Sequence, residues 1–250
     1  MQKFKQKKVV ITGGSSGIGL ATAKKFAEEG ADVIITGRNR ALVDTEAKNS
    51  GMTGVVADQS THEGIVTLLA QTTKTGGKVD VLFINAGIFQ LAPIAEITEQ
   101  HFDEMMNINF RGALFTLKTF IPWLTDGASV IFLSSIVAST AMENSAVYAA
   151  SKAALNALAK IASIELAPRG IRVNIVSPGP VNTPLWSKVG MSDEQLKEAS
   201  AAIGAKVPLR KFGSAAEIAN TVLFLASEEA SFITGSELVV SGGFHLNTLA

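Results

Sequence analysis

The chain has 250 residues, enough for one large α/β domain, and its 47% hydrophobic residues can cover a substantial core. The 22 basic residues balance the 22 acidic ones and there is no cysteine, which argues against nucleic acid as a partner and excludes disulfides and cysteine-ligated zinc. Apolar runs stay well short of the roughly 20 residues that a membrane span needs, so we expect no membrane contact. The lack of cysteine makes the cytoplasm the simplest expected compartment.

Seven short apolar runs recur without the alternation typical of a half-exposed sheet. They are residues 9–11, 33–35, 55–57, 79–84, 130–133, 171–176 and 238–240. Helical stretches separate them, and two serine–glutamate pairs, Ser60 with Glu63 and Ser214 with Glu217, have capping-box spacing. We predict a single α/β domain over residues 1–250, with a Rossmann-like, doubly wound parallel sheet of about seven strands and helices on both faces.

A glycine-rich turn, TGGSSGIG at residues 12–19, follows the first apolar run. At a strand-to-helix junction, Gly13, Gly17 and Gly19 allow a tight turn, the approach of a pyrophosphate and close packing of the helix. Unpaired amides and the dipole of the following helix favour negative charge there. A P-loop has lysine directly after its last glycine, whereas here Leu20 follows Gly19, which excludes that motif. The turn therefore predicts a cradle for dinucleotide phosphates.

The end of the second apolar run bears on the choice of dinucleotide. An acid at this point binds both ribose hydroxyls and repels a 2′-phosphate, whereas an arginine pairs with that phosphate through two hydrogen bonds. The sequence has Gly37 where the acid is expected, followed by Arg38. This pattern favours NADP(H), and NAD(H) stays possible because a glycine does not exclude it.

Tyr148 is the only tyrosine, and Lys152 follows it at helical i, i+4 spacing, so both reach one bound molecule. A nearby ammonium favours the phenolate, and we expect it to lower the pKa of Tyr148 towards the working pH. Such a pair by itself is common on helix surfaces, so the prediction depends on the other motifs.

Together these motifs resemble the short-chain dehydrogenase/reductase family from about residue 7 to residue 243. TGGSSGIG is similar to its Thr-Gly-x-x-x-Gly-x-Gly turn, and Asn85, Ala86 and Gly87 match its Asn-Ala-Gly loop. The resemblance implies that Asp58 binds adenine and that Thr183, in SPGPVNTP, contacts the nicotinamide carboxamide. Its implied cofactor contacts are Gly13, Ser15, Ser16, Gly17, Ile18, Gly19, Arg38, Asp58, Asn85, Ala86, Gly87, Tyr148, Lys152, Pro178, Gly179, Val181 and Thr183.

The resemblance also implies a catalytic set of Asn109, Ser135, Tyr148 and Lys152. Tyr148 would give its proton to a carbonyl oxygen that Ser135 binds, while the nicotinamide delivers hydride to the carbonyl carbon. Lys152 would hold the ribose hydroxyls, and Asn109 a water that returns protons. The predicted function is hydride transfer between NADP(H) and a ketone or secondary alcohol.

Two alternatives stay open. A 3-oxoacyl-[acyl-carrier-protein] reductase uses the same four residues, and a basic surface formed by Lys206, Arg210 and Lys211 would suit its acidic carrier. A non-catalytic dinucleotide-binding sensor or scaffold is the alternative of another class, although all four catalytic positions are filled.

The segment from about residue 180 to 212 contains no strand candidate and is predicted to be a lid with one polar helix opened by Ser192. The residues expected to line a mostly apolar substrate pocket are Phe89, Ile136, Asn144, Trp186 and Met191. The three histidines have no metal-ligand spacing, so no metal is predicted. The helices near 102–122 and 147–166 are apolar on more than one face, and the family pairs them across subunits, which predicts a homotetramer, with a dimer next.

Overall fold

The computed structural model describes residues 2–184 and 193–246. A seven-stranded sheet, all of whose strand pairs are parallel, forms its centre in the order β3-β2-β1-β4-β5-β6-β9. Its strands are β1 (Lys8–Ile11), β2 (Asp32–Gly37), β3 (Thr53–Val56), β4 (Val79–Ile84), β5 (Leu124–Leu133), β6 (Arg172–Pro178) and β9 (Glu237–Val240). The predicted doubly wound α/β sheet is confirmed.

Helices cover both faces of this sheet. They are α1 (Gly17–Glu28), α2 (Arg40–Asn49), α3 (His62–Lys74), α4 (Glu99–Met106), α5 (Gly112–Phe120), α6 (Ala146–Leu166), α7 (Asp193–Lys206) and α8 (Ala215–Ala226). Alternate strand residues point to opposite faces, so each strand supplies two cores. Val10 packs in the core beside α3, α5 and α6, whereas Val9 and Ile11 pack in the core beside α1 and α8.

The two predicted capping boxes have different outcomes. The one at α8 is confirmed, because Ser214 and Glu217 bind each other's backbone amides. The one at Ser60 is wrong: Thr61 is the N-cap of α3, and its hydroxyl accepts from the Gly64 amide. Ser60 instead donates to the carboxylate of Asp58, so the helix begins one residue later than predicted.

Two further elements differ from the sequence prediction. The helix expected near 102–122 is divided into α4 and α5 by a π-helical turn, Asn107–Arg111. The segment from 180 to 212 was expected to have no strand, yet β7 (Val181–Asn182) pairs in parallel with β8 (Gly213–Ser214). Both differences depend on contacts between distant parts of the chain, which local patterns do not report.

Within the described ranges, no helix combines the length and the apolar character that crossing a bilayer requires. The same ranges contain no group of three or more His, Cys, Asp or Glu side chains placed to hold a metal ion.

Candidate active site

The glycine turn lies where the strand order reverses. β1 has β2 on one side and β4 on the other, so the loops that follow β1 and β4 border a crevice at the carboxyl ends of the strands. A Cβ atom placed on Gly13 would lie 2.9 Å from the Cα atom of Ala86, so the two loops are in contact. The backbones of these two loops therefore pack against each other at the base of the crevice.

The conformation of the turn requires its glycines. Gly13 and Gly17 have φ of +63° and +54°, in the left-handed region that favours glycine. A Cβ atom on Gly19 would lie 2.3 Å from the Gly13 carbonyl oxygen. The Asn85 amide group donates to the carbonyls of Thr12 and Gly13, at 2.8 and 3.0 Å, and fixes the turn to the loop after β4.

The start of α1 suits an anionic ligand. Its N-cap, Ser16, has extended backbone angles, and the Ser16 side chain accepts no hydrogen bond from the helix amides. No acidic residue lies in the first turn. The first amides of α1 and the positive end of its dipole therefore fit a pyrophosphate.

We expect Gly19→Ala to weaken NADPH binding by about ten- to hundredfold, because the added methyl group must displace the Gly13 carbonyl and the Asn85 amide. Fluorescence titration with NADPH measures the affinity. Gly51→Ala is the control for the added methyl group: Gly51, unlike Gly19, has positive φ, but its Cβ would meet no atom within 4 Å. This control is expected to cost about 1 kcal/mol of stability and to keep its NADPH affinity. Equal affinity in both variants would contradict the assigned role of the turn.

The predicted adenosine contacts lie beside β2 and β3. Asp58 follows β3, and its Oδ1 accepts from the amide and the hydroxyl of Ser60, at 2.9 and 2.8 Å. Arg38 follows β2 and is exposed. At Gly37, a Cβ atom would lie 2.4 Å from the Ser15 hydroxyl oxygen, so this position is filled by Ser15 from the glycine turn.

Three of the four predicted catalytic side chains line one cleft of about 460 Å³. Ser135 follows β5 and opens a short 3-10 turn, in which its hydroxyl accepts from the Val137 amide at 3.4 Å. Tyr148 and Lys152 lie one turn apart on α6. Tyr148 is partly buried, and the side chain of Phe89 packs edge-on against its ring at 4.8 Å between ring centres.

Asn109 lies behind this cleft, in the π-helical turn. Its Oδ1 accepts from the Ile88 amide at 2.8 Å, and its Nδ2 donates to the Ile88 carbonyl at 3.0 Å and to the Ser151 hydroxyl at 3.1 Å. A Cβ on Gly87 would lie 3.2 Å from Asn109 Oδ1 and 3.5 Å from Lys152 Nζ. Both N–H groups of Asn109 are thus engaged within the protein, and the predicted relay water stays a prediction.

Two serines that support this arrangement were not selected from the sequence. The buried Ser151 hydroxyl accepts from Asn109 and donates to the Tyr148 carbonyl at 2.7 Å, so it links the π-helical turn to the first turns of α6. Ser134 donates to the Lys152 carbonyl at 3.4 Å. The only sequence signal for Ser151 is its position three residues after Tyr148, on the same face of the helix.

The pKa values differ from the sequence expectation. Burial raises the pKa of Tyr148 to about 12, and a hydrogen bond with Ser135 opposes this shift only in part. Burial also lowers the pKa of Lys152 to about 8. The Lys152 ammonium donates to the Leu133 carbonyl at 2.8 Å and lies 5.7 Å above the centre of the Tyr148 ring. Desolvation therefore outweighs the expected effect of the ammonium on the phenol.

Lys152→Met is expected to stabilise the protein at pH 7 by about 1 to 3 kcal/mol, because the gain from removing a buried ammonium exceeds the cost of leaving the Leu133 carbonyl without this donor. Because the pKa of Lys152 is lower in the folded state than in the unfolded state, the folded state binds fewer protons than the unfolded state above about pH 8. Wild-type stability should then rise between about pH 8 and 10, and the gain from the substitution should shrink over that range. Urea unfolding of both proteins at several pH values measures this, and a constant difference would contradict the shift.

The cleft includes many of the residues expected to bind cofactor and substrate. Of those predicted, its lining contains Ile18, Asn85, Gly87, Pro178, Gly179, Val181 and Thr183 for the cofactor, and Phe89 and Ile136 for the substrate. Trp186 and Met191 lie outside the described residues.

Asn144, which was predicted to line the substrate pocket, is not among the lining residues of this cleft. Asn144 is exposed, is absent from the cleft lining and has φ of +62°. Its carbonyl accepts from the Ala92 amide at 2.8 Å, so it joins the loops that follow β4 and β5. Asn144 therefore contributes its backbone to a left-handed turn, and the sequence alone does not distinguish this role from a side-chain role in the pocket.

The C-terminal part of the predicted lid, from α7 to β8, contacts the cleft and pairs with β7. The side chains of Ile203 and Lys206 on α7 line the cleft, and β8 returns the chain to β7. Glu217 accepts from Lys211 and from Ser214, and these contacts lower its pKa to about 2. Arg210 donates to the Ala205 carbonyl. Arg210 and Lys211 are therefore engaged with the protein itself.

Comparison with known proteins is consistent with this geometry. The family model described as enoyl-(acyl carrier protein) reductase matches residues 13–245. The glucose 1-dehydrogenase of Gluconobacter oxydans is 36% identical, over 98% of this chain and 94% of its own. The 3-oxoacyl-[acyl-carrier-protein] reductase of Thermotoga maritima is 33% identical, over 96% and 98%. The NADP-dependent (R)-specific alcohol dehydrogenase of Lentilactobacillus kefiri is 34% identical, over 97% and 98%.

A solved structure shares the whole architecture. A short-chain dehydrogenase/reductase from Caenorhabditis elegans, crystallised with cofactor, superposes with a TM-score of 0.92 at 33% identity, covering 98% of this chain and 97% of that one. The fold and the matches define an oxidoreductase built on a dinucleotide-binding sheet. The chain belongs to the short-chain dehydrogenase/reductase family.

Proposed function

We propose that the protein reduces ketones with NADPH and, in reverse, oxidises secondary alcohols with NADP⁺. The observation that carries the proposal is the convergence of Ser135, Tyr148 and Lys152 on one cleft that is also lined by Ile18, in the first turn of α1, and by the loop after β4. A phenol, a hydroxyl and an ammonium beside a phosphate cradle are the groups that carbonyl reduction needs.

Each residue of the site has a separate role in the proposed reaction. The glycine turn, Asp58, Asn85 and Thr183 would hold the dinucleotide, whose nicotinamide ring, when bound, supplies hydride to a carbonyl carbon or takes it back. Ser135 donates a hydrogen bond to the carbonyl oxygen and positions it beside Tyr148. The phenol of Tyr148, whose pKa is about 12, is protonated at neutral pH and gives its proton to that oxygen.

Lys152 completes the proton transfer. Once Tyr148 has lost its proton, the nearby ammonium stabilises the phenolate, and a proton from water restores the phenol. Asn109 holds the backbone of Ile88 and, through Ser151, the helix turn that bears Tyr148. We propose that Asn109 preserves the distance between the loop after β4 and the catalytic helix.

A ketone panel with NADPH and NADH in parallel tests the proposal. The expected result is loss of NADPH absorbance with at least one simple ketone and a higher kcat/KM with NADPH than with NADH. Binding of NADPH without turnover of any ketone would instead support the sensor or scaffold alternative.

A 3-oxoacyl-[acyl-carrier-protein] reductase is the second candidate, favoured by the similarity to the Thermotoga maritima enzyme and by Lys206 at the cleft. It is weaker because Arg210 and Lys211 bind protein groups. An acetoacetyl thioester on carrier protein and on free pantetheine separates the two candidates, since only a carrier-specific enzyme prefers the former strongly.

The proposed assembly is a homotetramer, with a dimer as the second choice. Exposed apolar side chains support it: Phe102 on α4 and Ile161 and Ile164 on α6 are 47, 56 and 72% exposed. Light scattering after gel filtration measures the mass, and a monomer would contradict this proposal. The cytoplasmic location stays a prediction.

A further inference from the structure

The part of the cleft beyond the catalytic groups is apolar on several sides. Phe89 follows β4, Ile136 and Val137 follow β5, Ile203 lies on α7, and Phe244 follows β9. Four separate segments of the described chain, with Met142 in the same connection as Ile136 and Val137, thus supply hydrocarbon or aromatic surface to the same space. Such a wall binds a substrate by removing its apolar surface from water.

Three polar side chains of this wall are engaged with the protein. The Thr140 hydroxyl donates to the Ile136 carbonyl at 3.0 Å, and the Ser134 hydroxyl donates to the Lys152 carbonyl. The Asn85 amide group is held by two backbone carbonyls. Among the described lining residues there is no carboxylate, histidine or arginine. A substrate rich in hydroxyls would leave water and find few partners here, which is unfavourable.

Phe89 stands at the reacting end of this apolar space. Its ring meets the Tyr148 ring at 4.8 Å and 73°, an edge-to-face contact. The residue before it, Ile88, has both backbone polar groups bound by Asn109, and the loop is also joined to Asn144 through the Ala92 amide. The position of Phe89 is therefore fixed from two sides.

From this arrangement we infer that the site selects ketones bearing an aryl or similarly bulky apolar group, and that Phe89 determines this specificity. The inference rests on the proposed function, and it distinguishes this chain from sugar-oxidising relatives. An apolar substituent on the carbonyl carbon packs against Phe89 and Ile136 while the oxygen meets Tyr148 and Ser135. A polyhydroxylated substrate is rejected because its hydroxyls are not matched.

Two ketones of contrasting polarity test the substrate class. Acetophenone should be reduced with a kcat/KM at least about tenfold above that of 1,3-dihydroxyacetone, and D-glucose with NADP⁺ should not be oxidised. Preference for dihydroxyacetone or glucose would overturn the inference and leave the proposed hydride transfer intact. Turnover of no carbonyl compound at all would overturn the proposed function.

A binding measurement keeps these two failures apart. Tyr148→Phe loaded with NADPH cannot supply the proton, so calorimetry with acetophenone reports binding without chemistry. Saturable binding of acetophenone that exceeds binding of dihydroxyacetone supports the inference whatever the turnover. No binding of acetophenone, or equal binding of both ketones, overturns it.

Variants of Phe89 test its role. Phe89→Ala should lower kcat/KM for acetophenone about tenfold or more but change that for dihydroxyacetone less than about threefold, whereas Phe89→Leu should keep most of the acetophenone activity. Phe232→Ala, at a fully exposed phenylalanine outside the cleft lining, is the matched control and should change neither. Equal losses for both ketones would mean that Phe89 only positions Tyr148, and would overturn the specificity role.

Discussion

Tyr148→Phe is expected to lower kcat for ketone reduction by about a thousandfold while changing the affinity for NADPH less than about threefold. The substitution removes only the phenolic oxygen. It leaves the ring that packs against Phe89 and the contact between that ring and Lys152. Stopped-flow reduction of acetophenone and fluorescence titration with NADPH measure the two quantities separately.

Ser135→Ala provides the comparison for this result. Loss of its hydrogen bond to the carbonyl oxygen should reduce kcat by about a hundredfold, since the proton donor is still present. Wild-type rates in Tyr148→Phe would refute the proposed acid. A loss of NADPH binding of the same size as the loss of rate would show that Tyr148 acts on the cofactor site and not on the carbonyl.

The state of the phenol can also be followed directly, because Tyr148 is the only tyrosine of the chain. Its ultraviolet absorption change on ionisation therefore belongs to one group. In the protein without cofactor the phenol should titrate near pH 12, since burial disfavours the phenolate. A transition at or below pH 10 would show that the ammonium of Lys152 dominates, as the sequence alone suggested.

The parts of the site that sequence predicts well depend on local spacing and on a topological rule. Gly13, Gly17 and Gly19 mark a backbone shape that few other residues allow, and parallel strands bring all the following loops to one edge of the sheet. Tyr148 and Lys152 share a face by helix geometry. Tyr148 and Lys152 approach Ser135 and the loop of Asn85 because Ser135 and Asn85 both follow parallel strands and so lie at the same edge of the sheet.

The parts that sequence misses depend on contacts and burial that residue spacing does not report. The Asp58 carboxylate accepts from Ser60, and Thr61 instead of Ser60 is the N-cap of α3. Asn144 is used for its carbonyl, in a left-handed turn. The pKa of Tyr148 reflects how completely the ring is desolvated, which no spacing of residues reports. The last two are tertiary effects, and they bear on the chemistry of the site more than on its location.

The packing around Gly37 bears on the choice between NADP(H) and NAD(H). An acid there would need its Cβ 2.4 Å from the Ser15 hydroxyl oxygen and 3.0 Å from a methyl group of Val43. An acid at this position would therefore require the Ser15 and Val43 side chains to shift. Arg38, one residue later, is exposed, and its guanidinium is of the type that pairs with a 2′-phosphate.

Arg38→Ala is accordingly expected to raise KM for NADPH by about tenfold or more and to change KM for NADH less than about threefold, because only NADPH carries the phosphate that this arginine would bind. Steady-state kinetics with one ketone and both cofactors measures the difference. Arg40→Ala is the matched control, two residues along at the start of α2 and also exposed. If Arg40→Ala causes the loss and Arg38→Ala does not, the phosphate contact belongs to the helix start. If neither variant changes the ratio of the two KM values, the preference for NADP(H) does not arise from this edge of the sheet.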